Sequence, residues 1–472
     1  VKARAAVSIY KPCGICGDAA RELNADLYRC WGHCLGLELE PNAKFVAGGD
    51  IRGSTPEFLS ALIEGLCQAG LDVVDLGQIP TPMIYYARHR LSADGCAIVT
   101  GSHKAGNING LRWMIGNRPP MPDDVYALQV AAENPAGKSP ARQRREARSI
   151  DISFDYVANL QETWVDAMGA QLHIVIDPMH GSWSGKARRY LHAIFPQCLI
   201  TAINDTHDPA FNGQAPDCSR WQHLHDLCDA VYRERAHLGV AFGGDGDQVA
   251  LVDNQGMALT DEETTWMLME SLGKAMHNEQ FVYDLRFSDR VNERAKQLGA
   301  EPLGERSGQG FVHKRMIATG ALLGAELGGH YYFREMKGCD DGLYAACRMI
   351  AFLAQNEKTL AQWRWECPPM YITPELRIGM PLQSQARIME KIRREWSSFT
   401  QQVVDGIRIE TPGGWFLVRS SAVESALSFR FESLDWSALD HLVERVCDTI
   451  DELGKELRQQ YITAMGIGAA RE

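Results

Sequence analysis

Cys96-Ala97-Ile98-Val99-Thr100-Gly101-Ser102-His103-Lys104-Ala105-Gly106, running on to Asn109-Gly110-Leu111-Arg112, is the stretch on which the reading of this chain turns. A short apolar strand breaks at a glycine-bearing loop. Glycine opens backbone conformations closed to other residues, so the loop presents Ser102 and His103 at the strand's end. In α/β sheets the carboxyl ends of strands are where ligands bind. Ser102 is therefore the candidate nucleophile and His103 its neighbour. The same residues would also make an ordinary strand-to-loop turn, and the rest of the chain decides between the two.

Upstream, Phe45-Val46-Ala47 reads as a buried strand ending at Gly48-Gly49-Asp50-Ile51-Arg52. A helix follows, with Ser54 or Thr55 as N-cap, Pro56 in the first turn and apolar Phe58, Leu59, Leu62, Ile63 and Leu66 at helical spacing. Leu71–Leu76 is the next strand. Alternation of this kind implies an α/β layer structure. Arg52 would serve either a ligand phosphate or a surface ion pair. Farther upstream, Cys13, Cys16, Cys30 and Cys34 have zinc-like spacing, although Cys30 and Cys34 sit one helical turn apart, where cysteine commonly packs as a small hydrophobe.

Downstream, Pro119, Pro120, Pro122, Pro135 and Pro140 surround an arginine run, Arg142 to Arg148, read as solvated surface approaching a domain boundary. A helical stretch from Tyr156 to Met168 leads to strand Leu172–Ile176. A helix is expected over about 219–234. Strand Leu238–Phe242 then runs into Gly243-Gly244-Asp245-Gly246-Asp247-Gln248. Two carboxylates flanking one glycine can face one hard cation. A third glycine-rich loop, Leu322 to His330, carries Glu326 and His330. A carboxylate accepts hydrogen bonds from sugar hydroxyls, and an imidazole donates to phosphate or moves a proton. Beyond residue 369 come strand-like pieces near 407–409, 415–418 and 427–431, then one long amphipathic helix from Ala438 to about Leu457. Between the last strands, Arg419, Ser420 and Ser421 have the makings of a phosphate clamp.

At 472 residues the chain exceeds one core, and length suggests roughly three or four domains. A net charge of −12 argues against a general nucleic-acid binder. No apolar run reaches a membrane span of about 18 residues, and the thirteen scattered cysteines do not read as a disulfide framework. A cytoplasmic enzyme is the expectation.

Taken in order, these loops resemble the α-D-phosphohexomutase superfamily, and most closely its bacterial phosphomannomutase/phosphoglucomutase branch. The family's Thr-x-Ser-His-Asn-Pro and Asn-Gly-x-Lys match Thr100 to Arg112, and its Asp-Gly-Asp-Gly-Asp-Arg matches Gly243 to Gln248. Glu-x-Ser-Gly-His falls on Glu326 to His330, and Arg-Pro-Ser-Gly-Thr-Glu-Pro on Arg419 to Ser425. The resemblance covers almost the whole chain. It implies three related α/β domains of mixed sheets with flanking helices, plus a smaller C-terminal α+β domain, around a central cleft. The boundaries would be 1–149, 150–256, 257–368 and 369–472.

The chemistry it implies is the interconversion of hexose 6-phosphate and hexose 1-phosphate through phosphoserine 102 and a hexose 1,6-bisphosphate. Ser102, His103, Arg112 and His330 would be catalytic. Ser102, Asp245 and Asp247 would hold Mg²⁺, and Lys11, Arg52, Lys104, Glu326, Arg419, Ser420 and Ser421 would bind substrate. Neither nucleic acid nor membrane is an implied partner, and the protein would be a monomer or dimer.

The departures fall in functional positions. Lys11-Pro12-Cys13-Gly14-Ile15-Cys16-Gly17 replaces the family's Lys-Ala-Tyr-Asp-Ile-Arg-Gly, and Gly49 replaces an arginine. Lys104 and Ala105 replace Asn-Pro. Arg112 stands for a lysine thought to move protons, and a guanidinium is a poor base. Gly243 deletes a metal carboxylate, Gln248 an arginine and Gly328 the sugar-loop serine, while Ala422, Val423 and Ser425 alter the phosphate loop. Mg²⁺ binding is therefore expected to be weak or absent, with the Lys104 ammonium sharing the neutralising role. Two further readings stay open: a sugar-phosphate-binding protein without turnover, and an altered phosphoryl transferase or phosphatase.

Overall fold

Gly95–Val99, the strand that ends at the Ser102 loop, lies fully buried inside a seven-stranded mixed sheet. Its neighbours are Lys44–Gly49 on one side, parallel, and Ile108–Ile115 on the other, antiparallel. The computed structural model describes residues 9–134, 142–421 and 425–465. Ala422 and Val423 lie outside them, as do Pro135 and Pro140.

The same arrangement recurs twice. Leu238–Phe242 pairs parallel with His173–Asp177 and antiparallel with Val249–Asp253, within a four-stranded sheet. Leu323–Glu326 pairs parallel with Gln280–Asp284 and antiparallel with His330–Phe333, within a five-stranded sheet. In each unit a buried parallel strand turns through a glycine-rich loop into an antiparallel partner. All three loops therefore leave from carboxyl ends of strands. The fourth unit is an antiparallel sheet built on Gly414–Ser420 and Ala426–Ser433, with helices Leu382–Glu395, Trp436–Thr449 and Glu452–Met465.

Packing separates these units unequally. One apolar core runs from Val46 and Ile98 through Ile174 and Val240 to Phe281 and Tyr344, joining the first three sheets. The last sheet has its own core around Phe416, Phe429 and Val443. It meets the third unit largely through polar pairs, including Arg408 with Asp289 at 2.8 Å and Arg430 with Glu262 at 2.6 Å. Interfaces of that kind permit relative motion more readily than a shared apolar core does.

Four local expectations change. Leu322 to His330, expected as a loop, is mostly hairpin: Leu323–Glu326 and His330–Phe333 pair antiparallel. The helix expected from Ala438 to about Leu457 is two, because Asp451 takes a left-handed φ of 52° and the chain doubles back. The apolar spacing continues across the break, which is why periodicity alone ran the two together. Residues 219–234 open as a 3₁₀ turn, Trp221–Leu224, before helix His225–Glu234. The arginine run is not merely solvated: Arg142 donates to the carbonyls of Gly36, Leu39 and Ala69, and Arg148–Ser149 adds an edge strand to the first sheet. The four cysteines of zinc-like spacing do not converge. Cys13 packs on Gly310 of the third unit, while Cys30 faces the Ala132 carbonyl.

Candidate active site

Ser102 sits in a tight turn with φ of 54°, its amide donating to the Thr100 hydroxyl at 2.8 Å. The turn is pinned from beneath by Asp50, which is wholly buried. Asp50 accepts from the Thr55 hydroxyl at 2.9 Å, the Thr100 hydroxyl at 2.8 Å and the Gly101 amide at 3.1 Å. Arg52 completes this base. Its guanidinium pairs with Asp50 and donates to the carbonyls of Ser102, at 2.9 Å, and Lys104. Arg52 is fully buried, so the expectation that it binds a ligand phosphate is corrected. A buried guanidinium takes the carboxylate and carbonyls within its reach. Its role is to hold the Ser102 turn in shape.

The Asp245 loop packs directly on that turn. A β-carbon on Gly244 would stand 2.8 Å from the Ser102 carbonyl oxygen, so the approach requires glycine. Asp245 Oδ2 accepts from the hydroxyls of Thr100, at 3.0 Å, and Thr81, at 2.9 Å. Thr100 thus bridges Asp50 and Asp245. Arg112 reaches in from Ile108–Ile115: its Nη1 lies 2.7 Å from Asp247 Oδ2 and 3.8 Å from Asp245 Oδ2. Burial works against both charges, raising the pKa of Asp245, whereas the two carboxylates keep Arg112 firmly charged.

Gln248 and His103 join the loops. His103 Nδ1 is 3.3 Å from Ser102 Oγ and 3.1 Å from Gln248 Oε1, while Gln248 Nε2 donates to the Gly328 carbonyl at 2.6 Å. Burial, aided by Lys104, His330 and Arg112, pushes His103 down to about 4 despite Asp217, so its ring is neutral at pH 7.

On the third loop, His330 Nδ1 is 2.7 Å from Asp340 Oδ2 and 3.9 Å from Asp247 Oδ1. Burial opposes its charge, but Asp247, Asp340 and Glu326 prevail and raise it to about 9. At pH 7 it is an imidazolium. Glu326 accepts from the Gly308 amide at 2.7 Å and from the Tyr332 hydroxyl at 3.3 Å. Burial raises its pKa, against the pull of His330.

Arg419 is buried and paired with Glu375 at 3.2 Å and Asp405 at 3.0 Å. Glu375 also meets Arg286, at 3.3 Å, and Arg377, at 2.6 Å. These arginines outweigh burial and hold Glu375 well below the usual carboxylate range. Arg419 and Ser420 belong to a strand rather than to the connection expected between strands, and Ser420 is exposed. A phosphate must compete with two carboxylates for the Arg419 guanidinium. Lys11 and Lys104 both stand near the Ser102 turn; burial, with Lys104 adding to it, lowers Lys11.

Of the expected site residues, the structure gathers Ser102, His103, Arg112, Asp245, Asp247, Glu326 and His330 about one centre. Asp50, Gln248, Gln309, Asp340, Arg286 and Glu375 had not been chosen as site residues. Gln309 Nε2 donates to Asp340 at 2.8 Å and lies 3.3 Å from Asp247. Asp50 was readable as a carboxylate at a strand end and Asp340 as one leading into a helix, but nothing local marks Gln309 or Glu375.

Mg²⁺, implied by the resemblance, requires octahedral oxygen donors. Asp245 and Asp247 each keep one buried oxygen, Oδ1, without a protein partner. The set does not otherwise fit. The first carboxylate is missing, and a β-carbon on Gly243 would stand 2.8 Å from Gln248 Oε1. The remaining pair is engaged by Arg112. Among the described residues, Asp247, His330 and Asp340 form the one group with ligand atoms all within 4.8 Å, and there the imidazole already holds a proton against Asp340.

Three family models match the chain. They are the α/β/α domains I, II and III of phosphoglucomutase/phosphomannomutase, at residues 9–133, 154–256 and 261–371. A phosphomannomutase/phosphoglucomutase of Pseudomonas aeruginosa is 29% identical over 431 residues, covering 90% of this chain and 92% of that one. A phosphomannomutase of Methanocaldococcus jannaschii is 26% identical, covering 95% and 99%. The crystal structure of a phosphoglucomutase/phosphomannomutase family protein from Burkholderia thailandensis superposes with a TM-score of 0.82 at 26% identity, over 97% of each chain.

Proposed function

The chain belongs to the phosphoglucomutase/phosphomannomutase family, and from that premise we propose that it interconverts hexose 6-phosphate and hexose 1-phosphate through a phosphoserine at Ser102. The observation that carries this reading is one continuous chain of contacts. It runs from Ser102 Oγ through His103 and Gln248 to the Gly328 carbonyl of the sugar loop. Nucleophile, acidic loop and sugar loop therefore share one centre.

In the forward half-reaction the free hydroxyl of the sugar attacks phosphorus. The Ser102 Oγ–P bond breaks as the new O–P bond forms, and the hydroxyl proton ends on Ser102 Oγ. His103, neutral and 3.3 Å from that oxygen, is placed to carry the proton. The bisphosphate then turns over and returns its other phosphate to Ser102. Such transfer rests on positioning and charge neutralisation, which the cationic Arg112 and His330 provide. Glu326 receives sugar hydroxyls, Lys11 and Lys104 face phosphate, and Arg419 with Ser420 and Ser421 holds the distal phosphate once the last domain closes. Segments 1–149, 150–256, 257–368 and 369–472 act as the four bodies around the cleft.

The test is labelling. Incubation with glucose 1,6-bisphosphate is expected to add one phosphate, seen by intact mass, and Ser102→Ala is expected to abolish it. Labelling that survives the substitution would refute the assignment. Unlabelled wild type that still binds hexose phosphate would favour the reading as a binder, to which Arg112 in place of a proton-moving lysine also points.

A further inference from the structure

Asp247 is met by three nitrogen groups. Arg112 Nη1 stands at 2.7 Å, Gln309 Nε2 at 3.3 Å and His330 Nδ1 at 3.9 Å. Arg112 also lies 3.8 Å from Asp245, and both carboxylates are wholly buried. Leaving two such carboxylates without a counter-charge would be costly, and the cation that answers them belongs to the chain itself. The substitutions around it are of one kind. Gly243 withdraws the third carboxylate that a divalent ion would need. Gln248 lies against that position, its side chain turned to His103 and Gly328. Arg112 brings a planar fork able to address two carboxylates, which an ammonium on a lysine does less well.

We infer that the Arg112 guanidinium, seated on Asp247 and Asp245, takes the place of a divalent cation, so that this centre carries its neutralising positive charge without metal. It differs from the sequence expectation that Lys104 would share that role. Lys104 influences His103 and Lys11, whereas the carboxylates are met by Arg112. A divalent ion entering here would face the Arg112 guanidinium 2.7 Å from Asp247. With Arg112 removed, the Asp245 and Asp247 carboxylates become a site that prefers a dication.

The inference uses the phosphoserine reading only for its consequence, so the test avoids turnover. Mn²⁺ binding to the EDTA-stripped full chain is followed by electron paramagnetic resonance, alongside the melting temperature with and without Mn²⁺. Wild type is expected to bind weakly, with the same melting temperature in EDTA and in millimolar Mn²⁺. Arg112→Gln is expected to bind at least about tenfold tighter and to melt higher with Mn²⁺ than in EDTA. Adding Asp247→Asn should remove that gain. If Arg112→Gln does not fold, Arg112→Lys, which keeps a charge but releases the fork, is expected to gain affinity in the same direction. The inference is overturned if wild type binds micromolar Mn²⁺ with a rise in melting temperature, or if no folded Arg112 variant gains affinity. Failure of Ser102 labelling, measured separately, would overturn the mutase reading and leave this result standing.

Discussion

Replacing Arg52 by methionine separates a structural guanidinium from a substrate ligand. The side chain is fully buried; it pairs with Asp50, donates to the carbonyls of Ser102 and Lys104, and lies over the Phe211 ring. Removing one partner of a buried ion pair costs about 3–5 kcal/mol, because the other charge stays behind. Asp50 retains the hydroxyls of Thr55 and Thr100 and the Gly101 amide, which places the ion-pair loss toward the low end. The two orphaned carbonyls add about 1 kcal/mol or more each. The expected loss is therefore about 5 kcal/mol or more. With a urea dependence of about 3 kcal/mol per molar, the unfolding midpoint falls by about 1.7 M or more. The assay is urea unfolding followed by tryptophan fluorescence, since Trp31 and Trp183 are fully buried. Asp50→Asn combined with Arg52→Met should recover part of the loss, because the abandoned charge is then gone. The reasoning is refuted if Arg52→Met leaves the midpoint unmoved but weakens hexose-phosphate binding, the signature of a ligand contact.

Two further outcomes are expected. Gly65→Ala should destabilise the chain by about 1–3 kcal/mol, because a β-carbon there would overlap the Arg29 carbonyl where helices Ala25–Leu37 and Thr55–Gln68 touch; an unchanged urea midpoint would mean that the helices give way freely. Glu375, whose folded pKa is depressed, contributes stability present above its ordinary value of 4.5 and lost as pH falls below it. The melting difference between wild type and Glu375→Gln should therefore be largest near pH 7 and shrink below about pH 4, and a difference that stays flat with pH would contradict the ion-pair geometry.

The sequence by itself determined the frame. Apolar runs closed by glycine located the strands ending at Val99 and Phe242, because a buried strand and the turn that ends it are encoded within a few residues; Leu323–Glu326, with its own glycine, read as part of a loop. The residues able to do chemistry, Ser102, His103, Asp245, Asp247, Glu326 and His330, were legible for the same reason: they sit on those turns. Tertiary structure decided what each charge faces. Arg52, Arg112 and Arg419 are alike on the page, yet one ties down a backbone turn, one lies on Asp245 and Asp247, and one is paired with Glu375 and Asp405. Nothing local distinguishes Arg112 from Arg419, because the partner of Arg112 lies 135 residues away and that of Arg419 lies 44 away. A buried guanidinium must find its counter-charges wherever the fold brings them. The reversal at Asp451 has the same origin: helical periodicity continues through it, and the decision to turn back is made by the surface against which the second helix packs.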